Sequence, residues 1–326
     1  MGIRIAGTGH FVPDRILTNA DLEKMVETSD EWIVTRTGIR ERHIAGPDVA
    51  TSDLAAEAGR RALQNAGLTP EDVDLVIVST ITPDMPTPST ATVVQRKLGI
   101  PPCMCFDVEA ACTGLLYGID IAHALLVAGQ RRTALLIGGD KLSCVTNWTD
   151  RSTCVLFGDA ASALIIRSDP DFEGDFYAGA EVGADGQNAD FLRIPGFGSA
   201  KPPSVEGLEQ HLYAITMNGP KTYQMAVTAM SQACKRVLEK TGVGVDQIRW
   251  AIPHQANDRI ISAVAARLGI SERIYRNVSR FGNTSSASIG ICLDELNRSG
   301  KLERGDLILT AAFGAGLTWA AELLRW

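Results

Sequence analysis

Cys112 stands in Asp107-Val108-Glu109-Ala110-Ala111-Cys112-Thr113-Gly114, where a strand pattern meets a long apolar helix pattern. A thiol at the first turn of a helix faces unpaired backbone N–H groups and the positive end of the helix dipole. Both favour the thiolate, the nucleophilic form. The same N–H groups suit an oxyanion on a bound acyl group. A cysteine taken alone is ordinarily a small buried hydrophobe, so catalysis needs partners from elsewhere in the chain. Two candidates stand out. His254, in Pro253-His254-Gln255-Ala256-Asn257, ends a strand pattern, and Asn283 precedes a helix pattern in Phe281-Gly282-Asn283-Thr284-Ser285-Ser286. Imidazole and carboxamide N–H groups are hydrogen-bond donors, and beside a thiol they are candidates for a shared site. Their ordinary alternatives are a structural histidine and a turn or helix-cap asparagine. His123 returns to the helix face of Cys112 but lies about 16 Å further along the axis, and is expected to be structural.

The elements that must position these residues alternate between strand and helix. Thr113–Ala128 reads as an apolar helix stopped by Gly129, preceded by a strand over Cys103–Val108. Asp53–Gly67 is helical, and strands are expected over 73–79, 133–137, 152–157 and 161–167. Near-continuous apolar strands separated by helices predict an α/β fold with sheets covered on both faces. The second half echoes the first. Ala62–Gly67 followed by Val73–Ile77 aligns with Val237–Gly242 followed by Ile248–Ile252, and Phe157–Ala161 resembles Phe313–Leu317. Two matches in one order predict a duplicated domain, residues 1–170 and 171–326, with the boundary near 168–175. Gly183–Gly207, rich in Gly and Pro, reads as a long mobile loop. A duplicated α/β fold would place its site where the halves meet.

Composition narrows the classes. The chain has 326 residues, 45% apolar and 21% charged, with a net charge of −7. That balance argues against broad nucleic-acid or anionic-membrane binding. No apolar run reaches a membrane-spanning length and no leader-like segment opens the chain. Cysteines 103, 105, 112, 144, 154, 234 and 292 are scattered and odd in number, so a reducing cytoplasm is expected. Cys103 and Cys105 lack a second ligand pair at zinc spacing. Gly7-Thr8-Gly9 has Val12 at the third glycine position and fails as a dinucleotide fingerprint.

Together with Thr35–Arg42 and Phe313-Gly314-Ala315-Gly316-Leu317-Thr318-Trp319, these motifs resemble the β-ketoacyl-acyl-carrier-protein synthase III family across essentially the whole chain. This family of the thiolase superfamily initiates bacterial fatty-acid synthesis. The resemblance implies two duplicated halves in a layered α-β-α-β-α sandwich. It also implies decarboxylative condensation of an acyl-CoA with malonyl-acyl-carrier protein. Cys112 would carry the acyl group, and backbone N–H groups of Cys112 and Ala315 would form the oxyanion hole. His254 and Asn283 would hold the enolate. No metal or redox cofactor is needed, and a homodimer is implied.

Further roles follow from the same resemblance. Trp32, Arg36 and Arg151, with Thr28 nearby, match the clamp on the adenine and phosphates of CoA. Gly219, Tyr223 and Asn257 match positions along the pantetheine tunnel. Gln255, Arg259 and Arg267 would meet the acidic carrier protein, although Gln224 and Ala266 replace basic residues common in relatives. Thr87 stands where several relatives have Phe, in a segment that reaches the partner subunit's acyl pocket, and would leave room for primers longer than acetyl. Three other readings compete: a Cys-His-Asn polyketide-type synthase or acyltransferase, a papain-like cysteine hydrolase, and a non-catalytic scaffold. The product formed separates the first from the family reaction, peptide hydrolysis tests the second, and acylation of the thiol excludes the third.

Overall fold

The computed structural model describes residues 2–326. Nine strands build two main sheets: β1 (Gly2–Phe11), β2 (Leu75–Ser79), β3 (Met104–Val108), β4 (Thr133–Asp140), β5 (Ala160–Asp169), β6 (Tyr177–Ala184), β7 (Ile248–Pro253), β8 (Leu307–Gly314) and β9 (Thr318–Arg325). The first sheet has the order β1-β5-β4-β2-β3, and the second β6-β9-β8-β7. β2 runs parallel to β3 and β4, while β5 is antiparallel to β4 and β1. In the second sheet β7 and β8 are parallel, and β9 is antiparallel to both β8 and β6. Where β3 would have a counterpart, only a parallel bridge between Ala251 and Ile274 remains.

Seven helices complete the layers: α1 (Asp30–Thr37), α2 (Thr51–Ala66), α3 (Thr90–Leu98), α4 (Gly114–Val127), α5 (Gly219–Thr241), α6 (Asp258–Leu268) and α7 (Ser288–Arg298). α4 and α7 lie between the sheets. Their Leu115, Leu116, Ile119, Ile289 and Leu293 share one buried cluster with residues from both sheets. α2 and α3 cover the outer face of the first sheet, and α5 and α6 that of the second. Along β2, Leu75 and Ile77 face the central layer whereas Val76 and Val78 face α2 and α3. That two-sided burial explains the unbroken apolar runs in the sequence. α2 and α5 each end on a left-handed glycine, Gly67 and Gly242, both at φ 67°. Nothing crowds either position, so the glycine serves the backbone angle rather than space.

Two expectations fail locally. Residues 152–157 are not a strand: Arg151–Cys154 is a short helix capped by Asp150, whose carboxylate accepts the Ser152 N–H at 2.9 Å. Side-chain capping at Asp-Arg-Ser wins over the apolar run Cys154–Phe157. The 183–207 segment is also more regular than a loop. It holds the end of β6, a 3-10 turn at Gly186–Phe191, a two-residue strand at Leu192–Arg193 and the start of a short helix at Val205. Leu192 and Ile194 pack against buried clusters.

Candidate active site

The two central helices present their N-termini toward one cavity of about 910 Å³, lined by Cys112, His254, Asn283 and Ala315. Cys112 sits in a 3-10 turn, Ala111–Thr113, immediately before α4. Ala111 adopts φ 45°, an angle that turns the chain sharply between β3 and α4. The Thr113 hydroxyl ties this turn across the halves, lying 2.9 Å from Thr318 Oγ1 and donating to Ala110 O at 2.6 Å. A Cβ at Gly314 would stand 2.9 Å from the Cys112 nitrogen. Only glycine lets the Gly314–Thr318 turn approach the Cys112 backbone so closely.

The resting thiol differs from the sequence expectation. Cys112 opens onto the cavity, yet its sulfur lies deep among protein atoms. Burial pushes it up to about 12, a contact with Ser285 offsets only part of this, and Asp140 adds to the rise. Desolvation is the largest influence on the thiol and favours its neutral form. Asp140 ends β4 and is fully buried. It accepts hydrogen bonds from Thr80 Oγ1 at 2.9 Å, the Ile81 N–H at 2.8 Å and Ser286 Oγ at 3.0 Å. This network joins β4 to the turn before α7 beside Cys112. Its one sequence signal is a charged residue ending an apolar strand.

His254 follows β7 directly. Its backbone N–H donates to Ala311 O at 2.7 Å, and its Nδ1 lies 2.7 Å from Ser288 Oγ. Burial alone pushes the imidazole down to about 4, so it is neutral at physiological pH. Neutral imidazole opposite a protonated thiol is not the thiolate–imidazolium pair that a cysteine hydrolase requires. In the unfolded chain this side chain titrates near 6.5. Between the two values the unfolded state holds the extra proton. Stability therefore falls as pH drops through 6.5, and the loss is complete below pH 4, on the order of 3 kcal/mol. Denaturant titrations at pH 7 and pH 4.5 should show this decline, and His254→Gln should flatten it.

Asn283 is buried in a loop held from the other half. Its backbone N–H donates to Leu156 O at 2.8 Å and its carbonyl accepts the Gly158 N–H at 3.0 Å. The side-chain oxygen accepts the Ser285 N–H at 2.9 Å. That contact uses the acceptor end of the carboxamide and leaves its N–H groups for the cavity.

At the mouth, the guanidinium carbons of Arg36 and Arg151 lie 5.0 Å and 4.9 Å from the centre of the Trp32 ring. Arg151 also donates to Glu27 O at 2.9 Å, beside Thr28. Trp32 and Arg36 line the cavity together with Gly219, Tyr223, Asn257 and Arg259. Asn257 caps α6 through the Arg259 N–H at 2.8 Å and donates to Arg36 O at 3.0 Å, fixing the mouth to the second half. Arg259 stands 5.6 Å over the Tyr223 ring. Arg267 is exposed about two turns further along α6.

Gln255 is a correction. It is fully buried, donating to Pro253 O at 2.7 Å while its oxygen accepts the Asn277 N–H at 3.0 Å. No part of that side chain faces a macromolecular partner. Thr87 is exposed in the 83–88 segment and does not line this chain's own cavity. His123 pairs with Asp175 at 2.7 Å and stacks on Tyr177, remote from the cavity. No group of three or more potential metal ligands gathers among the described residues.

Comparison with known proteins identifies the family and the fold. The family model described as 3-oxoacyl-[acyl-carrier-protein (ACP)] synthase III matches residues 106–186, and that of its C-terminal part matches 238–326. A β-ketoacyl-[acyl-carrier-protein] synthase III of Caldanaerobacter subterraneus subsp. tengcongensis is 49% identical, covering 99% of this chain and 97% of the relative. The crystal structure of 3-oxoacyl-[acyl-carrier-protein] synthase III from Aquifex aeolicus superposes with a TM-score of 0.91 at 43% identity, covering both chains completely. The priming β-ketosynthase of the R1128 polyketide pathway also superposes at 0.91. It is 34% identical and covers 99% of this chain and 96% of its own.

Proposed function

The chain belongs to the β-ketoacyl-[acyl-carrier-protein] synthase III family, and from that premise we propose that Cys112, His254 and Asn283 divide its two half-reactions. It is an acyltransferase of the condensing type, joining an acyl-CoA primer to malonyl-acyl-carrier protein at the start of fatty-acid synthesis. In the first half-reaction Cys112 Sγ attacks the thioester carbonyl while backbone N–H groups of Cys112 and Ala315 hold the oxyanion. The C–S bond to CoA breaks, the thiol proton leaves with CoA, and the acyl group stays on Cys112. In the second, malonyl thioester loses CO2, and the enolate oxygen rests on N–H donors from His254 and Asn283. Its carbon then attacks the acyl-Cys112 carbonyl, the C–S bond to Cys112 breaks, and 3-ketoacyl-carrier protein is released. The departing Cys112 sulfur takes a proton from solvent to regenerate the thiol. Decarboxylation supplies the electron pair, so the reading calls for no cofactor. The observation that carries it is one cavity holding the thiol, a neutral imidazole and an oriented carboxamide. Incubation with acyl-CoA and malonyl-carrier protein should yield ketoacyl-carrier protein, CO2 and free CoA; hydrolysis to free acid alone would refute it.

Trp32, Arg36 and Arg151, with Thr28, take the base and phosphates of CoA at the mouth, and Gly219, Tyr223 and Asn257 line the pantetheine arm. A Cβ at Gly219 would meet no protein atom, so the glycine there keeps space for substrate. Trp32→Ala is expected to raise the KM for acyl-CoA about tenfold with kcat little changed, the loss of one stacked, cation-supported contact. Arg259 and Arg267 attract the acidic carrier protein. The reading also includes a cytoplasmic homodimer of the two-part chain, 1–170 and 171–326. All seven cysteines are free, and among the described residues no helix is long and apolar enough to cross a membrane. In that dimer Thr87 enters the partner subunit's pocket and admits primers longer than acetyl. Turnover should then hold or rise beyond four carbons; a steady fall beyond two or four would exclude it. The polyketide-priming neighbour favours one second reading, the same chemistry on a different carrier, which a carrier-exchange assay separates.

A further inference from the structure

We infer that Ser288 is a positioning residue that fixes the tautomer of His254, keeping its proton on Nε2, the ring nitrogen left for the cavity. The argument is one of hydrogen-bond accounting. Ser288 is the first residue of α7 and is 2% exposed. Its Oγ lies 2.7 Å from His254 Nδ1 and accepts the Gln255 N–H at 3.3 Å. With the imidazole proton on Nε2, every group is matched: Gln255 N–H donates to Ser288 Oγ, and the Ser288 hydroxyl donates to Nδ1. With the proton on Nδ1, Ser288 Oγ would face two donors, and its own hydroxyl hydrogen would have no acceptor. Among the described residues it makes no other hydrogen bond. An unmatched donor in a buried site is costly, so the first arrangement prevails.

The backbone gives the pair its rigidity. The His254 N–H is pinned to β8 through Ala311 O at 2.7 Å. Gln255, whose N–H completes the set, is locked by its own side chain to Pro253 O and the Asn277 N–H. The buried Gln255 thus acts on the site from behind rather than on a partner protein. Asn283 receives parallel treatment, since the Ser285 N–H occupies its oxygen. Ser285, in the turn before α7, and Ser288, the first residue of α7, therefore turn the two proposed donors toward the cavity.

The inference rests on the reading that His254 donates to the enolate, but its physical content can be tested separately. In uniformly ¹⁵N-histidine-labelled protein, with the His254 signals identified by their loss in His254→Gln, the imidazole proton should reside on Nε2. Ser288→Ala should shift that population toward Nδ1. It should lower the condensation kcat about tenfold, while Cys112 acylation by acyl-CoA changes less than twofold and the KM for acyl-CoA is kept. Ser288→Thr, which keeps the hydroxyl, should restore both the spectrum and the rate. A proton on Nδ1 in the wild type, or an unchanged tautomer in Ser288→Ala, would overturn the assignment. So would an equal slowing of both half-reactions. A shifted tautomer with unchanged condensation would uphold the hold of Ser288 on the ring and reject His254 as the enolate's donor.

Discussion

Cys112→Ala abolishes acyl-enzyme formation and, with it, condensation, a loss of roughly 10⁴-fold or more in turnover. The fold should survive, because the side chain lines a cavity and its removal leaves the Ala111–Thr113 turn and its Thr113–Thr318 contact in place. Cys112→Ser should be nearly as inactive. An environment that already pushes a thiol up to about 12 is still less able to ionise a hydroxyl. Intact mass after exposure to acyl-CoA gives the readout: one acyl adduct on the wild type and none on either variant. Cys154, Cys234 and Cys292 are buried and cannot substitute, whereas Cys144 is exposed. A persistent adduct mapped to Cys144 would remove Cys112 from the mechanism.

Asn283→Ala should lower condensation about 10²- to 10³-fold while leaving Cys112 acylation near its wild-type rate. Removing one donor from a developing oxyanion costs that much, and only the second half-reaction forms the enolate. The loop should stay in place, since the Asn283 backbone keeps its bonds to Leu156 and Gly158 when the side chain's bond to the Ser285 N–H is lost. Asn283→Asp should be worse than Asn283→Ala, because a carboxylate would repel the enolate it replaces a donor for. Separate assays of acylation and of malonyl decarboxylation distinguish the outcomes. Parallel loss in both would mean that Asn283 shapes the cavity rather than serving the enolate.

Local patterns made much of this legible. The strands from Val73 and Thr133 and the helices ending at Gly67 and Gly242 announced themselves because burial on both faces leaves uninterrupted apolar runs, and because glycine marks a left-handed stop. Cys112, His254 and Asn283 were visible as chemistry at element ends, and the cavity brings them together. What stayed hidden depends on contacts across the chain. Asp140 reaches Thr80 and Ser286, and Ser288 reaches His254, through spacings no local pattern encodes. The state of the thiol depends on the same kind of contact. Sequence shows the helix end that favours a thiolate, but not the depth of burial that opposes it. Gln255, given a carrier-protein role by resemblance alone, makes four internal hydrogen bonds that no local pattern shows.

Intact-protein mass spectrometry through one full cycle tests the central claim most directly. The protein is first loaded with acyl-CoAs of graded length and then mixed with malonyl-carrier protein. A single Cys112 adduct, stable alone and cleared by malonyl-carrier protein with matching formation of 3-ketoacyl-carrier protein, is the predicted result. An adduct cleared only by water, with free acid as the product, would contradict it.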